Sequence, residues 1–267
     1  MVLVINILIL TAILLVFIPY DVILRFTIAV FPDRAQDALQ RYSWKAVRRI
    51  FATVRAYGNF SIGLENISEL ALPERFLLIS NHQSLLDIPV LIYLFSSRRL
   101  RFVAKKELGG GLPFVSLLLR AQGQALIKRK GDPGQAMKAL VRFAKRCRRD
   151  GTSPVIFPEG TRSRDGQVGE FYTAGVRRVL ECESLPIVVV AIEGGWNIAS
   201  LGSVVKNLRG SRYRVRILDV LPPPKGKKEI LEDVRGARER IVAEIDAMRK
   251  MSPASAAIPA VGVSSNG

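Results

Sequence analysis

Hydrophobic and polar positions divide this chain into two unlike parts. Residues 1–18 carry no charge, and only Asn6 and Thr11 are polar. As a helix that run spans roughly 27 Å, close to the hydrocarbon core of a bilayer. Pro19-Tyr20-Asp21 is expected to break it. A second apolar stretch, residues 22–31, contains Arg25, spaced to pair with Asp21 across one helical turn. The pattern predicts either a single membrane span or a two-helix hairpin lying in one leaflet.

From residue 75 onward, short apolar runs alternate with amphipathic stretches. Strands are predicted at 76–79, 100–104, 124–128, 154–157 and 186–192, and helices at 88–94, 112–120, 132–150, 171–181 and 229–250. Asp132-Pro133 is a helix start, an N-cap acceptor followed by proline at the first helical position. Residues 212–220 alternate basic with apolar, as a half-buried strand near a sheet edge does. Residues 252–267 are rich in Ala, Ser, Pro and Gly and read as a disordered tail. The expected architecture is α/β, with a largely parallel sheet flanked by helices and preceded by an N-terminal membrane-embedded helical segment. Its divisions are a membrane-anchoring segment over 1–58, an α/β domain over 59–251 and the tail over 252–267.

Composition adds a partner class. Apolar residues make up 49% of the chain, which suits a globular body with an added membrane segment. The net charge of +17 points to an anionic partner. Residues 34–55 hold six basic residues against one acidic; such flanks stay cytoplasmic, so the body is expected on that face of the membrane. Residues 128–150 hold nine basic and two acidic, and 206–228 eight and one, a distribution that attracts anionic lipid. A membrane-tethered nucleic-acid-binding protein would also exploit this charge, but no nucleic-acid motif is visible and the apolar N-terminus is left unexplained. Cys147 and Cys182 form no C-x-x-C pair and read as buried, reduced thiols. With one histidine in the chain, no usual zinc set can be assembled, and no metal is expected.

Candidate chemistry gathers where predicted strands end. His82, the sole histidine, lies in Asn81-His82-Gln83-Ser84-Leu85-Leu86-Asp87, directly after the first strand. A neutral imidazole can accept a proton from an attacking alcohol, and Asp87 can fix its tautomer and stabilise the resulting cation. Ser84 lacks the G-x-S-x-G elbow of a nucleophile and reads as a helix-start hydroxyl. A second segment, residues 123–129, ends in Arg129. A third, residues 155–163, displays Glu159, Gly160, Thr161 and Arg162 after a buried strand. Two arginines of this kind suit a phosphate, and Thr161 can add a hydroxyl.

The runs N-H-Q-S-L-L-D, G-Q-A-L-I-K-R and F-P-E-G-T-R-S resemble three ordered blocks of the glycerolipid acyltransferases. The strand Pro-Ile-Val-Val-Val at 186–190 resembles a fourth. Within that family the Thr161-Arg162 pair is most similar to members acting on 1-acylglycerol 3-phosphate (lysophosphatidic acid). The resemblance implies transfer of a fatty acyl group from acyl-CoA or acyl carrier protein to the acceptor's 2-hydroxyl, giving phosphatidic acid. It implies His82 as base, Asp87 as its partner, and Arg129, Glu159, Gly160, Thr161 and Arg162 as the acceptor-phosphate site. Lys105 and Lys106, in a further family-like stretch, would contact the donor or a lipid head. No cofactor is implied beyond the two substrates. Two positions depart from the pattern. Tyr172 follows Phe171 where the family often has lysine, and Val189 stands where it often has a second proline. Both bear on the acceptor, and another lysolipid, such as a lyso-ornithine lipid or lysophosphatidylglycerol, is the alternative.

Overall fold

The computed structural model describes residues 2–58, 60–66, 71–105, 125–127, 132–199, 203, 206–207 and 209–251. The predicted helix at 112–120 and the predicted tail lie outside the described residues, as do Lys106 and Arg129.

Two long helices open the chain, α1 (Val2–Val30) and α2 (Ala35–Gly58), joined by a 3-10 turn at Pro32–Arg34. Pro19 does not break α1; the helix runs through it. Packing just beyond the proline offsets its lost hydrogen bond. Tyr20 and Leu24 are buried, Tyr20 lies 6.0 Å from the Tyr42 ring, and Arg49 of α2 sits over the Tyr20 ring. Arg25 Nε donates to Asp21 Oδ2 at 2.7 Å, the pair expected from spacing. Among the described residues no helix is long and apolar enough to cross a membrane. The single span left open by the sequence is therefore not found. The second half of α1 carries Asp21 and Arg25 and is buried only along the side of Tyr20 and Leu24, where the chain doubles back as a helical hairpin with α2.

The body is a seven-stranded sheet in the order β1-β7-β6-β2-β5-β3-β4. Its strands are β1 (Ser61–Asn66), β2 (Leu77–Ser80), β3 (Leu100–Lys105), β4 (Ala125–Ile127), β5 (Ser153–Ile156), β6 (Ile187–Glu193) and β7 (Arg212–Leu221). All neighbours are parallel except β6 and β7. The sequence-predicted edge strand, β7, is covered on its outer side by β1. That strand escapes the pattern because Ser61-Ile62-Gly63-Leu64 offers only two large apolar side chains.

Side-chain alternation sends the strands' residues to two cores. Leu78, Val188 and Val190 pack with Val47 and Phe51 of α2 and with Val90 and Leu91 of α3 (Asp87–Leu94). Leu77, Ile79, Ile187 and Val189 face the other layer, built from α4 (Pro133–Arg149), α5 (Thr173–Cys182) and α6 (Lys227–Lys250). Both faces are covered, so the central strands read as unbroken apolar runs. Asp132 caps α4 as expected, its side chain accepting from Gly134 N at 2.8 Å. Cys147 is buried and free, whereas Cys182, at the end of α5, is free and only half-buried.

Candidate active site

Adjacent strands β6, β2 and β5 end side by side, and the loops that follow them meet over the sheet's edge. This is where open parallel sheets place ligands.

The loop after β2 is anchored at each residue from Asn81 to Ser84. Asn81 binds β6 twice, donating to Ile192 O and accepting from Ile192 N, both at 2.8 Å. The His82 backbone donates to Glu159 Oε1 at 2.8 Å and accepts from Ser163 N at 2.8 Å. Its ring stacks on Phe157, with centroids 4.2 Å apart and planes within 14°. Gln83 Oε1 accepts from Gly195 N at 2.9 Å, and its Nε2 donates to Glu193 Oε2 at 3.0 Å. Ser84 Oγ donates to Ile198 O at 2.7 Å and accepts from Leu86 N at 3.2 Å, so the hydroxyl shapes the entry to α3.

Asp87 opens α3, where the helix dipole favours a negative charge. It is fully buried, yet its Oδ2 accepts from Gln83 N at 2.7 Å and Ser84 N at 2.8 Å. The same oxygen lies 2.7 Å from His82 Nδ1. A carboxylate already holding two backbone donors sets Nδ1 as the third, which leaves the lone pair on Nε2. Among the described residues Nε2 has no partner. Oδ1 accepts from the Tyr213 hydroxyl at 3.1 Å.

The turn after β5 closes with Gly160 N donating to Phe157 O at 3.0 Å. Gly160 has φ +64°, which a glycine adopts without strain. Glu159 is not displayed beside Thr161 and Arg162. It is buried, its Oε1 on His82 N and its Oε2 on Gly169 N at 3.0 Å. Burial pushes its carboxyl above the usual range, against the pull of those two backbone donors. Its carboxylate ties two loops together and has its oxygens turned inward. Thr161 is exposed, and half-buried Arg162 donates through Nη1 to Ala199 O; among the described residues the rest of its guanidinium fork has no partner. Lys105 ends β3, two strands from β2.

Three residues of this network carried no signal of their own in the sequence. Glu193 ends β6, and Arg249 of α6 reaches both its oxygens at 3.1 Å while donating to Gly166 O at 2.7 Å. Tyr213 lies on β7, remote in sequence from the site. A polar residue at the end of a buried strand, and an aromatic hydroxyl on the inward side of an alternating one, are the cues that could have found them.

The family model described as Acyltransferase matches residues 61–193. The chloroplastic 1-acyl-sn-glycerol-3-phosphate acyltransferase LPAT1 of Arabidopsis thaliana is 29% identical over 213 residues, covering 79% of this chain and 56% of that protein. The 1-acyl-sn-glycerol-3-phosphate acyltransferase of Pseudomonas aeruginosa is 30% identical over 171 residues, 64% of this chain and 63% of its own length. That of Helicobacter pylori is 36% identical over 114 residues, 42% of this chain and 45% of its own. The chain thus spans about half the length of the curated relatives it matches. Its fold is that of the 1-acyl-sn-glycerophosphate (LPA) acyltransferase PlsC from Thermotoga maritima, with TM-score 0.71 and 20% identity over 94% of this chain and 99% of that one. On these matches and the blocks they contain, this chain belongs to the acyltransferase family.

Proposed function

We propose that the chain moves a fatty acyl group from a thioester donor, acyl-CoA or acyl carrier protein, to the 2-hydroxyl of lysophosphatidic acid. The observation that carries this reading is the His82–Asp87 pair at 2.7 Å, with Nε2 left unpartnered among the described residues. The names of the relatives supply the acceptor.

In the reaction His82 Nε2 takes the hydroxyl proton as the oxygen attacks the thioester carbon. Asp87 stabilises the imidazolium so formed. A C–O bond forms, the tetrahedral intermediate collapses with loss of the C–S bond, and the proton passes from the imidazolium to the leaving thiolate. No covalent enzyme intermediate and no cofactor is needed, since both substrates are held together. Arg162, with Arg129 by resemblance, would bind the acceptor phosphate, and Thr161 would donate to it. Lys105 and Lys106 would meet the donor or a lipid head.

The helical hairpin is the proposed membrane contact. Leu8, Leu15, Val22, Phe26 and Val30 of α1 are all at least half exposed, recurring every three to four residues or at multiples of that spacing along one side. Immersed in the lipid interface, such a face keeps the catalytic body beside an acceptor that resides there.

A second acceptor is favoured by one observation. Tyr172 is 67% exposed, and its backbone N–H donates to Pro158 O at 3.0 Å, which sets it at the rim of the site. A lysine is frequent at this position in the family, so a lysolipid with a different headgroup charge fits this rim.

The deciding experiment is an acceptor screen. The purified full chain in mixed vesicles is offered acyl-CoA or acyl carrier protein with lysophosphatidic acid, lysophosphatidylglycerol and lyso-ornithine lipid. Preferred acylation of lysophosphatidic acid is expected, and preference for either other lysolipid contradicts the acceptor assignment.

A further inference from the structure

The carboxylate of Asp87 is bound on both oxygens, and only one side of it was visible in the sequence. Oδ2 gathers the two backbone N–H groups and His82 Nδ1. Oδ1 faces the hydroxyl of Tyr213, 126 positions further along the chain. Tyr213 is fully buried, its ring 6.0 Å from that of Phe60. Gly195, after β6, makes the approach possible. A Cβ there would lie 2.5 Å from Tyr213 Oη and 3.0 Å from Asp87 Oδ1. Three distant segments therefore converge on one carboxylate oxygen.

We infer that Tyr213 is a positioning residue for acyl transfer: its hydroxyl donates to Asp87 Oδ1, orients the carboxylate toward His82 and draws off part of the charge that His82 feels. This rests on the reading of His82 as the base. Burial and the neighbouring Asp87 push the Tyr213 hydroxyl well above its usual range, so it remains a donor at any pH of assay. Among the described residues, the other titratable groups facing the pair are Glu159 from the turn after β5 and Glu193, which is reached through Gln83 and neutralised by Arg249.

A buried hydroxyl needs a partner for stability alone, so the test must read proton transfer and not only folding. Tyr213→Phe keeps the ring and deletes the donor. Asp87 then presents fuller charge to His82, the imidazolium is favoured, and the base is protonated at higher pH. With the full chain in mixed vesicles, kcat should fall about tenfold with acceptor KM within about twofold. The acid limb of the kcat/KM profile should rise by about half a pH unit. Replacing Tyr213 by 3-fluorotyrosine makes the hydroxyl a stronger donor with little change of shape, and the limb should move the other way.

A folded Tyr213→Phe protein with unchanged kcat and pH profile overturns the proposal, whatever its melting temperature. If Tyr213→Phe does not fold, an unmoved profile in the fluorotyrosine protein overturns it. His82→Ala in the same assay keeps the two readings apart. Activity retained there removes the base assignment itself, whereas an inactive His82→Ala beside an unaltered Tyr213→Phe removes only the role of Tyr213.

Discussion

His82 is held by its backbone N–H, its backbone carbonyl, its Nδ1 and its ring face. One conformation of the imidazole is thus fixed before any substrate arrives, as proximity catalysis requires. His82→Ala removes the proposed base and leaves the surrounding backbone bonds in place. It should lower kcat by about 10²- to 10⁴-fold with the fold intact by circular dichroism. Turnover within tenfold of wild type contradicts the assignment. Glu159 tests the same loop through stability. Its raised carboxyl stabilises the fold most below the unfolded value near 4.5, and that contribution is lost as pH rises through the folded value. Gln cannot titrate and would turn an amide N–H toward a backbone donor, so Glu159→Gln should destabilise by about 1–3 kcal/mol. The gap from wild type should narrow as pH rises through that range. Urea unfolding at several pH values between 4 and 7 reads it, and a gap independent of pH refutes the argument. The pairing of His82 with Asp87 was legible because both lie in one seven-residue run. The inward turn of Glu159 was not, since polar type and loop position suggest display, and only the meeting of β2 and β5 gives its oxygens two backbone donors to satisfy.

Elements whose ends carry local chemical signals were the readable ones. α4 begins at Asp132-Pro133 because a capping side chain and a proline with no N–H to strand act together. Asp132→Ala should cost about 1 kcal/mol in chemical denaturation, with activity retained by the folded fraction; no loss of stability contradicts a working cap. α5 starts at Thr173, two residues later than its apolar pattern suggests, because Tyr172 is extended and bound to Pro158. β1 and the contact made by Tyr213 escaped for a different reason. β1 is a strand by pairing with β7, residue for residue from Ser61 with Arg212 to Asn66 with Ile217. Tyr213 meets Asp87 only because β7 runs antiparallel beside β6. Long-range register of this kind leaves no trace in local periodicity.

At the scale of the whole molecule, two features are candidates for the proposed membrane attachment: the apolar side of α1 and the basic surface. The sheet lies between them. The exposed cations Lys138, Arg142, Lys145 and Arg146 belong to α4, in the layer opposite α2 and α3, while the hairpin packs on the α2 side. Magnitudes also separate them. An apolar side chain fully transferred from water contributes about 1.5–3 kcal/mol, whereas a basic residue near an anionic surface contributes about 1 kcal/mol and is screened by salt. The hairpin should therefore dominate. Replacing Leu15, Val22 and Phe26 by Glu, on side chains that are each about 60% exposed and so leave the core untouched, should weaken binding to vesicles at least tenfold. Reversing Lys138, Arg142 and Lys145 to Glu should change it by less than about threefold at 0.15 M salt, where charges more than about 8 Å from the surface are screened. Cosedimentation with vesicles of mixed neutral and anionic lipid measures both. If the α4 reversals release the protein and the α1 substitutions do not, the membrane lies against the basic layer, and the hairpin must be assigned another role.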